Sequence, residues 1–169
     1  MSILRAEHPT ETDKRLAEEL RQMVNLERVQ RSIPLLAKSL PAFRYLDKLD
    51  KVAQDTVHHW IDTAVYGHVD REGKKVGDRL AAAGFKLYLH SENIAFSDPN
   101  YAGKVFEQFM GSTIHRMNLL NNGYKYVGIG TGICLEPSQF WNTKDQVMTT
   151  LGPTGRLWCM VFYTPPTTA

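Results

Sequence analysis

The order of sequence patterns predicts an α+β or three-layer α/β/α domain with a mainly antiparallel sheet. Three observations carry this. Two long segments with helical apolar spacing come first, an alternating segment and a further helix follow, and two apolar strand-like runs close the chain. With 169 residues and 43% hydrophobic content, one domain can bury a core without disulfide or metal staples.

The first helix spans residues 13–31, with Leu16, Leu20, Met23 and Val24 on one stripe and Thr12 placed to cap it. Pro34 ends it by disfavouring helical geometry at Ile33. The second helix runs over 42–65, its buried stripe marked by Leu46, Leu49, Val52, Ala53, Val57, Trp60 and Ala64. "YGHVDREGKK" is a loop, and "VGDRLAAAGF" is a short helix stopped by Gly84 in a left-handed conformation.

"KLYLHSENIAF" alternates as a strand that sets Glu92 and Asn93 on opposite faces. Asp98 and Pro99 open the next helix, which carries Val105, Phe106, Phe109 and Met110. "YKYVGIGTGICL" and "RLWCMVFYTPP" are strands, and the stretch between them holds either a further turn of structure or a functional excursion. Phe140 and Trp141 in that stretch are read as pinning it to the core, with part of a ligand-binding surface as the alternative. Gly128, Gly130 and Gly132 sit inside a strand with no Lys-Ser/Thr after them, which marks close packing rather than a phosphate loop.

The formal charge of +2 comes from interleaved basic and acidic residues, which argues against a nucleic-acid-binding face. No apolar run reaches the roughly 18 residues of a membrane span. The N-terminal residues show no hydrophobic signal core, so the protein is either cytosolic or a mature form whose export signal has been removed. Cys134 and Cys159 are buried small hydrophobes, or one disulfide if their strands are neighbours.

Three polar residues stand out on three different elements: His68, Glu92 and His115. Two imidazoles and a carboxylate form a reasonable ligand set for zinc or another divalent cation, with one position left for water. Without a metal, the same trio would hold a polarised water or a polar ligand. The bland reading makes the histidines surface or satisfied core residues and Glu92 a solvated one. Ser112, three residues before His115, places a hydroxyl near an imidazole but lacks a recognisable oxyanion loop. His58 and His59 point about 100 degrees apart on their helix and are read as structural.

"HVDREGKKVGDRLAAAGF", "SENIAF", "FMGSTIHRMNLLNNGYKYVGIGTG" and "WCMVFYTPP" appear in the order typical of the CAP superfamily, the SCP-like domain. The style is closest to its bacterial-type branch, and the resemblance covers residues 17–165. It implies an α/β/α sandwich with a central antiparallel sheet, preceded by an extension over 1–16 and followed by a tail over 166–169. It also implies a surface cleft in which His68 and His115 match the family histidines and Glu92 matches the glutamate of ENIA. Some members bind zinc or other divalent ions there. Where many members carry a second cleft glutamate, this chain has Ser112. Glu107 lies too early in its helix to replace that glutamate, and Phe109 stands where tryptophan is common.

The resemblance implies an extracellular, non-enzymatic binding domain whose partner is a small lipid such as a sterol or fatty acid, a polar ligand, or a protein. The alternative is a hydrolase in which His68 and His115 hold zinc or an ordered water, with Glu92 as general base and Ser112 beside His115.

Overall fold

The computed structural model describes residues 9–30, 42–97, 101–134, 138–151 and 155–167. Five helices are present among them: α1 (Glu11–Gln30), α2 (Asp47–Thr63), α3 (Val76–Ala82), α4 (Ala102–Gly111) and α5 (Thr113–Leu119). Six strands accompany them: β1 (Val65–Tyr66), β2 (Leu89–Ser97), β3 (Tyr126–Ile133), β4 (Ser138–Asn142), β5 (Val147–Leu151) and β6 (Arg156–Thr164). The expectations at Pro34 and at Asp98-Pro99 lie outside the described residues.

The run "RLWCMVFYT" of β6 is buried at every position, because this strand lies between β2 and β3, antiparallel to both. Its side chains alternate between two layers. Leu157, Cys159, Val161 and Tyr163 join Leu49, Ala53, Val57 and Trp60 of α2 and Leu80 of α3. Trp158, Met160 and Phe162 join Leu16, Leu20 and Val24 of α1 and Val105 and Phe109 of α4. The result is the three-layer sandwich with an antiparallel central sheet.

The glycines of β3 bring α2 down onto the sheet. A Cβ added at Gly128 would lie 2.3 Å from the Leu49 carbonyl, and one at Gly130 would lie 2.4 Å from the Gln54 nitrogen. At that closeness, side chains of α2 reach the outer edge of β3. Ile129 N donates to Asp50 Oδ1 (2.9 Å) and Thr131 N to Gln54 Oε1 (3.1 Å). Gln54 Nε2 returns a bond to the Thr131 carbonyl (2.8 Å), and Arg21 Nη1 donates to the Val127 carbonyl (2.8 Å). The edge that would otherwise offer unpaired backbone groups is thereby closed.

Two details differ from the sequence expectation, and two decide between its alternatives. Thr10, not Thr12, caps α1: its hydroxyl accepts from Asp13 N while its own N–H donates to Asp13 Oδ2. The second helix begins at Asp47 because residues 42–46 form an extended strap instead. There Phe43 packs on Phe162, Arg28 lies 3.7 Å over the Phe43 ring, and Arg44 N donates to the Lys125 carbonyl. The excursion before β6 holds real structure: β4 and β5 pair antiparallel, and β4 runs parallel to β1. Phe140 is buried and does pin it, whereas Trp141 is 40% exposed. Cys134 and Cys159 are both buried and free, so they form no disulfide.

Replacing Gly130 with alanine forces a methyl group into the α2 backbone and is expected to destabilise the fold by about 1–3 kcal/mol in urea unfolding. Gly111→Ala, where an added Cβ meets nothing within 4 Å, is the control and is expected to be neutral or to stabilise by about 0.5–1 kcal/mol.

Candidate functional site

Glu92 sits in the middle of β2 and faces the α2/α3 layer, where its side chain is only 2% exposed. A carboxylate this deep needs partners for both oxygens. Oε1 lies 2.9 Å from His68 Nδ1. Oε2 accepts from Arg79 Nη1 at 2.6 Å and from the Cys159 thiol at 3.4 Å.

Arg79 binds more than the acid. Its Nη1 also reaches Thr56 Oγ1 (3.1 Å) and its Nη2 the His68 carbonyl (3.0 Å), so one guanidinium ties α2, α3 and the His68 loop to β2. Burial by itself would push the Glu92 carboxyl up. The His68 hydrogen bond, together with the charge and hydrogen bonds of Arg79, outweighs burial and holds it below the usual carboxylate range. For Arg79, burial works to lower the pKa, but the charge of Glu92 prevails and raises it.

In the neutral form of His68 that donates Nδ1–H to the carboxylate, the ring's lone pair lies on Nε2, and that atom accepts no hydrogen bond from the described residues. The His68 side chain is 46% exposed. His115 approaches from α5. Its ring packs on Phe109 at 5.2 Å between centroids, and its carbonyl accepts from Asn93 Nδ2 (3.0 Å). Asn93 in turn accepts from Asn118 Nδ2 (2.8 Å). Burial lowers the His115 pKa first, and the charges of His68 and Lys144 lower it further. His115 therefore lies within electrostatic reach of His68 and of the β4–β5 turn that carries Lys144.

The adjacent residues Glu92 and Asn93, on opposite faces of β2, thus hold one histidine each: the ring of His68 and the backbone of His115. Sequence reasoning missed Asn93, Arg79 and Thr56 as partners. Thr56 left a faint signal as a polar residue in the apolar stripe of α2.

Ser112 precedes α5. Its N–H donates to the Phe109 carbonyl and its carbonyl accepts from Arg116, while its hydroxyl makes no hydrogen bond to His115 among the described residues. His68, Glu92 and His115 do not bring three ligand atoms within 4.8 Å of one another. Among the described residues that spacing is met by His59, Asp70 and Glu72. His59, read from the sequence as structural, pairs with Glu72 at 2.5 Å.

The family profile "CAP: Cysteine-rich secretory protein family" matches residues 19–142. No curated protein sequence matches. Among solved structures, an extracellular protein containing an SCP domain from Bacillus anthracis is similar at a TM-score of 0.69 and 17% identity, over 96% of this chain and 44% of that one. A cysteine-rich secretory protein from Staphylococcus aureus gives 0.61 at 15% identity, over 96% of this chain and 42% of that one. An outer surface protein from Borrelia burgdorferi gives 0.57 at 16% identity, over 89% and 96% of the two chains. The chain thus spans less than half the length of the first two. At these identities the structures speak for the fold alone. The profile match over most of the chain carries the family, and this chain belongs to the CAP family of cysteine-rich secretory proteins.

Proposed function

We propose that this chain is an exported binding domain whose cleft, between His68 and His115, takes a divalent cation such as zinc or a polar ligand of equivalent demand. The observation that carries the reading is the 2.9 Å contact of His68 Nδ1 with a buried, charge-paired carboxylate, which leaves Nε2 as an acceptor at the surface. Both Glu92 oxygens are already engaged. Glu92 is therefore the partner that orients a ligating imidazole rather than a ligand itself. His115, kept neutral by its lowered pKa, supplies the second imidazole. A cation held there would polarise a bound water or carbonyl. Export is supported by the family; two of the structural neighbours are an extracellular and an outer surface protein. No described helix is long and apolar enough to cross a membrane.

Hydrolysis through these residues has less support. A carboxylate held low by the His68 hydrogen bond and by Arg79 is a poor general base, and among the described residues Ser112 has no bond to His115 that would activate it. A small-lipid ligand is favoured by one feature: Trp141 and Met148 stand opposite each other on the β4–β5 hairpin and are 40% and 54% exposed. Trp141→Ala is expected to abolish any saturable fatty-acid binding, and a titration unchanged by it removes this reading.

For the cleft itself, zinc bound per chain is expected to fall by one ion in His68→Ala/His115→Ala. Glu92→Gln is expected to weaken that ion about 10–100-fold, measured by calorimetry. Zinc content unaltered in the double variant rejects the reading. Glu92→Gln also strands Arg79 and is expected to cost about 3 kcal/mol at neutral pH. Because the folded pKa of Glu92 lies below its ordinary value, its contribution is present above pH 4.5 and is lost as pH falls through the folded value. The stability gap between wild type and Glu92→Gln should accordingly shrink below pH 4.5. Ring NMR of His115 is expected to titrate with a midpoint below 6.5, moving up in His68→Ala once the neighbouring charge is gone.

A further inference from the structure

A second cluster lies on the far side of Arg79. His59, near the end of α2, and Asp70 and Glu72, in the loop that carries His68, each offer a ligand atom, and these lie within 4.8 Å of one another. All three line a cleft of about 640 Å³ between α2, this loop and α3. Their donor set is mixed, one imidazole and two carboxylates, and it comes from two separate segments.

Asp70 is the informative member. It is 7% exposed. Its Oδ1 accepts from Glu72 N (3.0 Å) and Lys74 N (2.9 Å), which shapes the turn. Its Oδ2 accepts no hydrogen bond among the described residues, which leaves that oxygen available on the cleft that Asp70 lines. Arg79 feels its charge, but the Arg79 hydrogen bonds go to Glu92, Thr56 and the His68 carbonyl. The Glu72 carboxyl, hydrogen-bonded to His59 Nε2 at 2.5 Å, is held below its usual range chiefly by that bond.

We propose that His59, Asp70 and Glu72 form a second divalent-cation site, separate from the His68/His115 cleft. The imidazole excludes a purely calcium-type oxygen cage and favours a first-row ion such as zinc, with the remaining positions filled by water from the open cleft. Loading replaces the hydrogen bond between His59 Nε2 and Glu72 Oε2 with bonds from both side chains to the ion. Lys74 and Arg79 on the same wall hold the affinity down. The bound ion joins α2 to the loop that presents His68 and so clamps that histidine; this consequence, unlike the binding itself, rests on the function proposed for the cleft.

The test uses zinc and the full chain in the His68→Ala/His115→Ala background, which removes the first site. That variant is expected to bind one zinc per chain, with a rise in Tm. Adding His59→Ala and Glu72→Gln is expected to weaken the binding at least 10-fold and remove the Tm rise. These two side chains are 37% and 50% exposed, so the metal-free Tm should stay close to that of the parent and report an intact fold. No zinc in the parent variant, or zinc and a Tm rise unchanged by the added substitutions, overturns the second site. Failure of the cleft reading shows separately, as His68→Ala/His115→Ala binding as much zinc as wild type.

Discussion

A single charge buried in the sheet organises the region around the cleft. The carboxylate of Glu92, taken out of water on β2, is tolerable only with a cation and hydrogen-bond donors delivered to it. Those donors come from every layer on that face: Arg79 from α3, His68 from the loop, and the Cys159 thiol from β6. Thr56 of α2 joins through Arg79. The positions of α3 and of the His68 loop are thus consequences of where one acid lies.

The period of two along β2 distributes the task. Glu92 looks into one layer and Asn93 into the other, so a single dipeptide grips His68 from one side of the sheet and α5, with His115, from the other. β2 is an outer strand of its sheet, so segments from both layers can meet beside it. The opposite outer strand, β3, has the contrary treatment. Gly128 and Gly130 let α2 lie directly against it, and Asp50, Gln54 and Arg21 consume its free backbone groups. One edge is sealed by side chains, and the other holds the hydrogen-bond network around Glu92 and Asn93.

The loop between β1 and α3 emerges as the junction of the proposed functions. It carries His68 to Glu92, anchors itself through Asp70, and reaches α2 through Glu72 and His59. Arg79 lies between the two clusters, bound to Glu92 and lining the cleft that holds Asp70. The charges of Glu92 and of Asp70 both act on that one guanidinium and help to keep it protonated.

The apolar run of β6 and the stripe of α2 were legible in the sequence, because a strand buried on both faces reads as a continuous apolar run and a helix with one buried face imposes a period that a reader can count. ENIA and the His-bearing segments identified the family for the same local reason. The β4–β5 hairpin was only half legible, as a stretch too long for a loop. Arg79 and Thr56 as partners of Glu92, Asn93 as the anchor of α5, the engagement of both Glu92 oxygens and the meeting of His59 with Asp70 and Glu72 were decided by tertiary structure. A periodic pattern states which side of an element avoids water. It does not state which distant polar group neutralises a charge on that side, since such contacts exist only once the chain has closed on itself.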